Sequence, residues 1–162
     1  MGYSVAMDFA FKAGNKFLRE KDIRADVKAA LQSSLKNGID GAIYWSCDDV
    51  EILGEQECDL VDHLFAYLTD GLDAMIRGEG FATFFPDQPL RMSITAKRDS
   101  VVVAVGEKRA IVPRDEFLRE LHQLCLRFYE LMLFVFPSGA DEPNLKAQKL
   151  IPARYPLILS GS

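Results

Sequence analysis

The segment Arg91 to Phe136 constrains the fold of this chain more than any other. Alternating apolar and polar residues from Pro89 to Lys97 predict a strand with one buried face. Ser100 to Val105 is apolar at nearly every position, which predicts an interior strand that is covered on both faces. Arg109–Val112 predicts a third short strand. Together the three strands predict an antiparallel meander.

A long helix is predicted directly after the meander. Pro113 suits the start of a helix, and Asp115 and Glu116 place negative charge in the first turn, where the helix dipole favours it. The apolar residues that follow recur at steps of one, three and four, the spacing of a single buried stripe. They are Phe117, Leu118, Leu121, Leu124, Cys125, Phe128, Leu131, Met132 and Val135.

Residues 5–12 fit two different structures. A helix would align Met7, Ala10 and Phe11 on one side, whereas a strand would place Val5, Met7, Phe9 and Phe11 on one face. The helix is favoured, because Ala, Asp and Lys suit an isolated strand poorly.

Periodicity predicts the remaining elements before Arg91. Helices are predicted at 23–36 and at 58–76, and Gly71 is expected to kink the second helix or end it early. Strands are predicted at 41–46, 50–53 and 81–85, with Asp48-Asp49 as a turn.

These elements predict an α+β protein in which an antiparallel β meander packs against long α-helices. At 162 residues, with 49% of them hydrophobic, the chain can bury a sizeable core, so residues 1–136 are predicted to form a single domain. Residues 137–162 hold four of the seven prolines and show little periodicity. They are predicted to form an extended C-terminal tail that is packed on the domain or partly disordered.

The cysteine count, the hydropathy pattern and the net charge limit which compartment and which classes of ligand are expected. Three cysteines without a C-x-x-C pair argue against a disulfide framework or a structural zinc site and favour a reducing cytoplasm. The chain has no secretory signal pattern and no apolar run long enough to span a bilayer, so no membrane association is expected. A net charge of -5 disfavours nucleic acid as a partner.

Catalytic signatures are absent from the sequence, so the protein is predicted not to be an enzyme and to hold no cofactor. A metal site would be one exception to this prediction. Asp59, Asp62 and His63 could converge with Asp48, Asp49 and Glu51, but their helical spacing points Asp62 away from His63, so no metal is predicted. Cys47, which leaves a strand, and Cys58, at a predicted helix start, are possible nucleophiles, but neither has a histidine partner in the sequence.

Charge is distributed unevenly along the chain. Between Lys36 and Arg77 there are ten acidic residues and no Lys or Arg, so the rest of the chain carries 14 acids against 19 basic residues. Such a segment is either a solvated face or a surface that steers a basic partner. The predicted partner-binding residues are Asp48, Asp49, Glu51, Glu55, Glu57, Asp59 and Asp62, with Trp45 or Tyr44 as an aromatic anchor. The core of the first hairpin is the competing position for Trp45.

The order of elements resembles immunity proteins of bacterial polymorphic-toxin and contact-dependent inhibition systems. The resemblance covers Leu90 to Phe136, where a valine-rich hairpin leads into Val112-Pro113-Arg114-Asp115-Glu116-Phe117-Leu118-Arg119-Glu120-Leu121. It implies a protein that binds and blocks a cognate toxin without catalysis. A monomer or homodimer is expected. No functional residue is carried over by position.

Two other functions remain open from the sequence. A small-molecule-binding domain or an enzyme would hold a pocket between the sheet and the helices, lined by convergent polar groups. A structural or adaptor subunit would make its contact through the apolar end of the last helix.

Overall fold

The computed structural model describes residues 5–23, 28–29 and 39–135, and within these ranges the protein is α+β, with two antiparallel sheets and two α-helices. The first sheet contains β1 (Val5–Ala13), β2 (Lys16–Leu18), β3 (Asp40–Cys47), β4 (Val50–Leu53) and β5 (Asp59–Leu60). The second contains β6 (Phe81–Phe84), β7 (Arg91–Ala96), β8 (Ser100–Val105) and β9 (Lys108–Pro113). The helices are α1 (Val61–Ile76) and α2 (Arg114–Val135).

The two sheets differ in topology. The first has the strand order β2-β1-β3-β4, with β5 paired to one end of β3. The second is a meander in which β6, β7, β8 and β9 follow one another. The three predicted meander strands are therefore confirmed, and β6 extends them to four.

Residues 5–12 lie in strand β1, so the favoured helix is wrong there. Val5, Met7, Phe9 and Phe11 are buried, as the strand alternative requires. The propensity argument failed because β1 is not isolated: it lies between β2 and β3, which supply hydrogen-bonding partners on both sides. The helix predicted at 23–36 and the tail predicted at 137–162 lie almost entirely outside the described residues.

Helix α1 begins three residues later than predicted and does not end at Gly71. Asp59 and Leu60 pair with β3 instead of joining the helix. Gly71 is buried inside α1, where an added Cβ would lie 2.7 Å from the ring of Phe81. The glycine therefore allows the start of β6 to approach the helix closely.

The buried side chains of both sheets and both helices form one hydrophobic cluster. At its centre the rings of Phe65 and Phe128 stack at 4.0 Å, and Phe9 meets both edge-on. Helix α2 contacts β1 of the first sheet and β8 and β9 of the second, so it joins the two sheets through its buried face.

Strand β8 is interior to its sheet, as predicted, but it is buried on one face only. Val101, Val103 and Val105 face the core, whereas Val102 and Ala104 on the opposite face are half-buried. Neither described helix combines the length and the hydropathy that a bilayer crossing requires.

Candidate partner-binding surface

The hairpin between β3 and β4 presents a group of exposed acidic residues. Cys47 pairs with Val50, so Asp48 and Asp49 form a two-residue turn, and both have positive φ, 51° and 69°. Hairpin turns of this kind need positive φ at both positions, which aspartate tolerates better than most residues. Both aspartates are exposed at the tip of the hairpin.

Two glutamates extend this surface along the hairpin. Glu51 lies opposite Ser46 and is exposed. Its carboxylate folds over Gly54, where an added Cβ would be 2.6 Å from the glutamate Cδ. Glu55 is also exposed and accepts a 2.7 Å hydrogen bond from the hydroxyl of Tyr44. The acidic hairpin surface therefore consists of Asp48, Asp49, Glu51 and Glu55, with the half-buried ring of Tyr44 beside them.

A shallow hollow of about 380 Å³ lies on this side of the first sheet. Its floor includes the small residues Ala6 and Ser46, which face each other across β1 and β3. Asp49 and Glu51 line the hollow together with Tyr44. Two of the four acids and the aromatic ring therefore meet at one concave site.

Arg19 brings a positive charge to the other wall of the hollow. Its guanidinium lies 3.9 Å from the centre of the Tyr44 ring and pairs with the carboxylate of Asp8. Arg127 extends this network, bonding Glu20 at 2.8 Å and the carbonyl of Met7 at 3.0 Å. These charges are mutually compensated, unlike those of Asp49 and Glu51, which form no ion pair with another described residue.

Burial and the neighbours Glu55 and Arg19 set the pKa of the Tyr44 hydroxyl. Burial, followed by the hydrogen bond to Glu55 and the charge of Glu55, raises its pKa to about 12, while Arg19 opposes the shift. The phenol therefore remains a hydrogen-bond donor throughout the physiological pH range.

Trp45 does not belong to this surface, so its prediction as an anchor is corrected. Only 2% of the residue is exposed, and its ring packs edge-on against Phe117 of α2 at 5.6 Å. Its position on β3 alternates with Tyr44, so the two side chains lie on opposite faces of the first sheet. The indole Nε1 is buried and has no hydrogen-bond partner within the described part of the chain.

Three further predicted acids stabilise the fold internally. Asp59 is only 6% exposed and accepts hydrogen bonds from the backbone amides of Leu60 and Asp87. Glu57 pairs with Lys108 at 3.0 Å and accepts a hydrogen bond from the amide of Gly54.

Asp62 is partly exposed and accepts a hydrogen bond from the amide of Ile39 at 3.1 Å. The prediction of Asp59 as a surface residue is therefore wrong. Glu57 and Asp62 are largely committed to internal bonds, so they add little to the exposed negative charge.

Sequence reasoning missed two residues at this end of the sheet. Val50, between Asp49 and Glu51 in sequence, is 56% exposed beside the turn, and its pairing with Cys47 places it on the face of β4 opposite to Glu51. No local signal identifies it, since Val50 to Leu53 lacks a clear alternation. Arg19 was missed because its contact with Tyr44 joins residues that are far apart in the chain.

Metal binding and thiol chemistry find no support at this site. No group of three or more His, Cys, Asp or Glu residues is arranged to hold a metal ion in the ranges that the structure describes. Burial, followed by the charges of Asp48 and Glu116, raises the pKa of Cys47, which disfavours the reactive thiolate. Cys58 precedes β5 and does not open a helix.

No protein-family model matches the chain, and no curated protein or solved structure is significantly similar to it. The functional interpretation therefore depends on the acidic hairpin surface and on the physical chemistry of its residues.

Proposed function

We propose that the protein is a non-catalytic binding module that captures a basic protein partner through the acidic hairpin surface. The observation that carries this proposal is the exposure of Asp48, Asp49, Glu51 and Glu55 together at one end of the first sheet. A concentrated negative field of this kind accelerates the association with a positively charged partner and selects against acidic ones.

Apolar and aromatic groups beside the carboxylates support binding over simple solvation. The exposed side chain of Val50 adjoins the Asp48-Asp49 turn, and the ring of Tyr44 lines the hollow together with Asp49 and Glu51. Interfaces gain most of their affinity from such anchors, whereas charges at the rim mainly set the association rate and the specificity.

Within this class, we favour an immunity protein that neutralises a cognate bacterial toxin in the cytoplasm. An inhibitor of a basic effector domain profits from carboxylates that imitate the negative charge of its substrate. The acidic hairpin surface has this character, and the resemblance of residues 90–136 to immunity proteins points to the same class.

A pocket between the sheets and the helices is the less favoured alternative. The space between the first sheet and the helices is filled by Phe9, Phe65 and Phe128, each at most 1% exposed. The hollow beside Tyr44 is an open depression on the outer side of the sheet, which suits a protein contact better than an enclosed ligand.

The test first requires that the reading frame next to this chain encode a secreted protein with a toxic C-terminal domain, and then co-expresses that domain with this chain. Wild-type protein is expected to relieve toxicity and to bind that domain with an affinity that falls as salt is added. Replacing Asp49, Glu51 and Glu55 together by lysine is expected to weaken binding by about 100-fold, mostly through slower association.

A matched control changes the same charge elsewhere. Asp70, Asp99 and Glu130 are exposed carboxylates outside the acidic hairpin surface, and their replacement by lysine is expected to change affinity by less than about threefold. Equal losses in the two triple variants would show that net charge, and not this surface, governs binding. Unrelieved toxicity with the wild-type protein would reject the immunity function.

A further inference from the structure

The second sheet presents an outer face that the acidic hairpin surface does not use. Its inner face is buried through residues such as Met92, Ile94 and Val103, so the alternate positions point away from the core. On that outer face Phe84 and Ile111 are 60% and 64% exposed. Exposed apolar side chains that others connect across a sheet face mark a docking surface more often than isolated ones do.

The charges on this face have a single sign. None of the four strands contains an acidic residue, whereas Arg91 and Arg109 are both exposed. Neither arginine forms an ion pair with another described residue. Arg91 lies opposite Phe84, and Arg109 lies opposite Ala104 on the far side of β8.

The register fixes the spacing of the two arginines. They are separated by two strand intervals and by two residues along the strand direction, which places their Cα atoms about 12 Å apart. Between them lie the half-buried side chains of Ser93 and Ala104, and Val102 follows in the next row, beside Ile111. The outer face therefore carries an apolar diagonal from Phe84 through Ala104 and Val102 to Ile111, with both arginines along one side of it.

Charge excludes two occupants of this face. A second copy of the chain stacked face to face would bring four unneutralised arginines together without any carboxylate from the strands. Single-stranded nucleic acid would find one exposed aromatic residue, Phe84, where such sites use several stacking rings, and a chain with a net charge of -5.

We infer that the outer face of the second sheet docks an amphipathic helix of a partner protein whose apolar stripe is bordered along one side by acidic residues. Helices pack on sheet faces through such a stripe. Carboxylates seven or eight positions apart on a helix are separated by about 11 Å to 12 Å, which matches the two arginines. The inference does not depend on the function proposed for the acidic hairpin surface.

The probe that tests this inference is a synthetic helical peptide of about 18 residues with a leucine stripe bordered along one side by glutamates. Fluorescence anisotropy with the intact protein is expected to show binding. A peptide with lysines in place of the glutamates, and a thymidine oligonucleotide of about 12 nucleotides, are expected to bind at least about tenfold more weakly.

Two variants locate the binding on the face. Arg91→Glu with Arg109→Glu is expected to weaken peptide binding by about tenfold or more, and Phe84→Ser by about fivefold. The control, Lys97→Glu with Arg98→Glu, makes the same charge change at the exposed β7–β8 turn and is expected to leave binding within about twofold.

Three results would overturn the inference. They are no binding of the glutamate peptide, equal losses in the two double variants, and tighter binding of the oligonucleotide than of the peptide. Circular dichroism of each variant verifies that the fold is retained, as expected for exposed side chains. If Arg91→Glu with Arg109→Glu nevertheless unfolds the protein, Arg91→Gln with Arg109→Gln gives the same comparison with a smaller change.

Discussion

Asp59 joins two parts of the chain through its carboxylate. It accepts hydrogen bonds from the amide of Leu60 at 2.7 Å and from the amide of Asp87 at 3.1 Å. Asp59→Ala is expected to lower the free energy of unfolding by about 2 kcal/mol, because two partly buried amides lose a charged acceptor. Asp59→Asn keeps one acceptor oxygen and is expected to cost about 1 kcal/mol. Urea unfolding monitored by circular dichroism measures both values.

The control for this prediction is Asp49→Asn, which removes a carboxylate from the exposed hairpin turn and keeps a side chain that tolerates positive φ. Its free energy of unfolding is expected to stay within about 0.5 kcal/mol of the wild-type value. A loss at Asp49 as large as that at Asp59 would contradict the different burial of the two residues.

Tyr44 provides a pH-dependent test of the acidic hairpin surface. Its folded pKa of about 12 lies above the ordinary value of 10, so the folded protein holds the phenolic proton more tightly than the unfolded chain does. This contribution to stability is complete below pH 10 and is lost as pH rises through about 12. Glu55→Gln is expected to lower the pKa of Tyr44, because it removes the negative charge at the hydrogen-bond acceptor. Arg19→Gln is expected to raise it further. Ultraviolet titration of each protein, with Tyr44→Phe subtracted, measures the shift, and a change of the opposite sign would reject the contacts.

Sequence composition located the acidic segment but could not separate its surface acids from those that stabilise the fold internally. Asp49 and Asp59 have similar local surroundings, and their roles differ because Asp87, far along the chain, donates its amide to only one of them. Trp45 and Tyr44 are adjacent in the sequence, yet they lie on opposite faces of β3. Which face becomes the core is decided by α2, whose Phe117 packs on the tryptophan.

Among the elements, those whose side chains repeat at one regular spacing were predicted well. The stripe of α2 and the alternation of β7 each fit a single structure. Strand β1 was mistaken for a helix because its sequence fits both periods. Its pairing with β3, from Val5 opposite Cys47 to Phe11 opposite Gly41, is a long-range property that no local pattern contains.

The strand assignment of β1 predicts a contrast between neighbouring positions. Phe9→Ala is expected to lower the free energy of unfolding by about 4 kcal/mol, because the ring is 1% exposed and contacts Phe65 and Phe128. Ala6→Ser, on the exposed face of the same strand, is expected to change it by less than about 0.5 kcal/mol. Chemical denaturation gives both values, and similar costs at the two positions would contradict the alternation.

At the scale of the whole molecule, the second sheet could be predicted from the sequence as a meander, but its relation to the first sheet could not. Part of the contact between them runs through α2, which packs on β1 as well as on β8 and β9, and part is direct, because β4 also meets β8 and β9. A stripe on a helix shows that one side is buried but does not show against what. The single hydrophobic cluster shared by both sheets follows from that packing.

This shared core predicts that the two sheets unfold together. Phe128 of α2 stacks on Phe65 and meets Phe9 edge-on, so Phe128→Ala is expected to destabilise the protein by about 4 kcal/mol. Fluorescence of Trp45, which belongs to the first sheet, and circular dichroism of the whole chain are expected to shift to the same lower denaturant midpoint. Phe134→Ala, at a position on the same helix that is 55% exposed, is the control and is expected to shift neither probe by more than about 1 kcal/mol. If the core is continuous, loss of its central ring destabilises both sheets together. Separate midpoints for the two probes would show instead that the sheets are independent folding units.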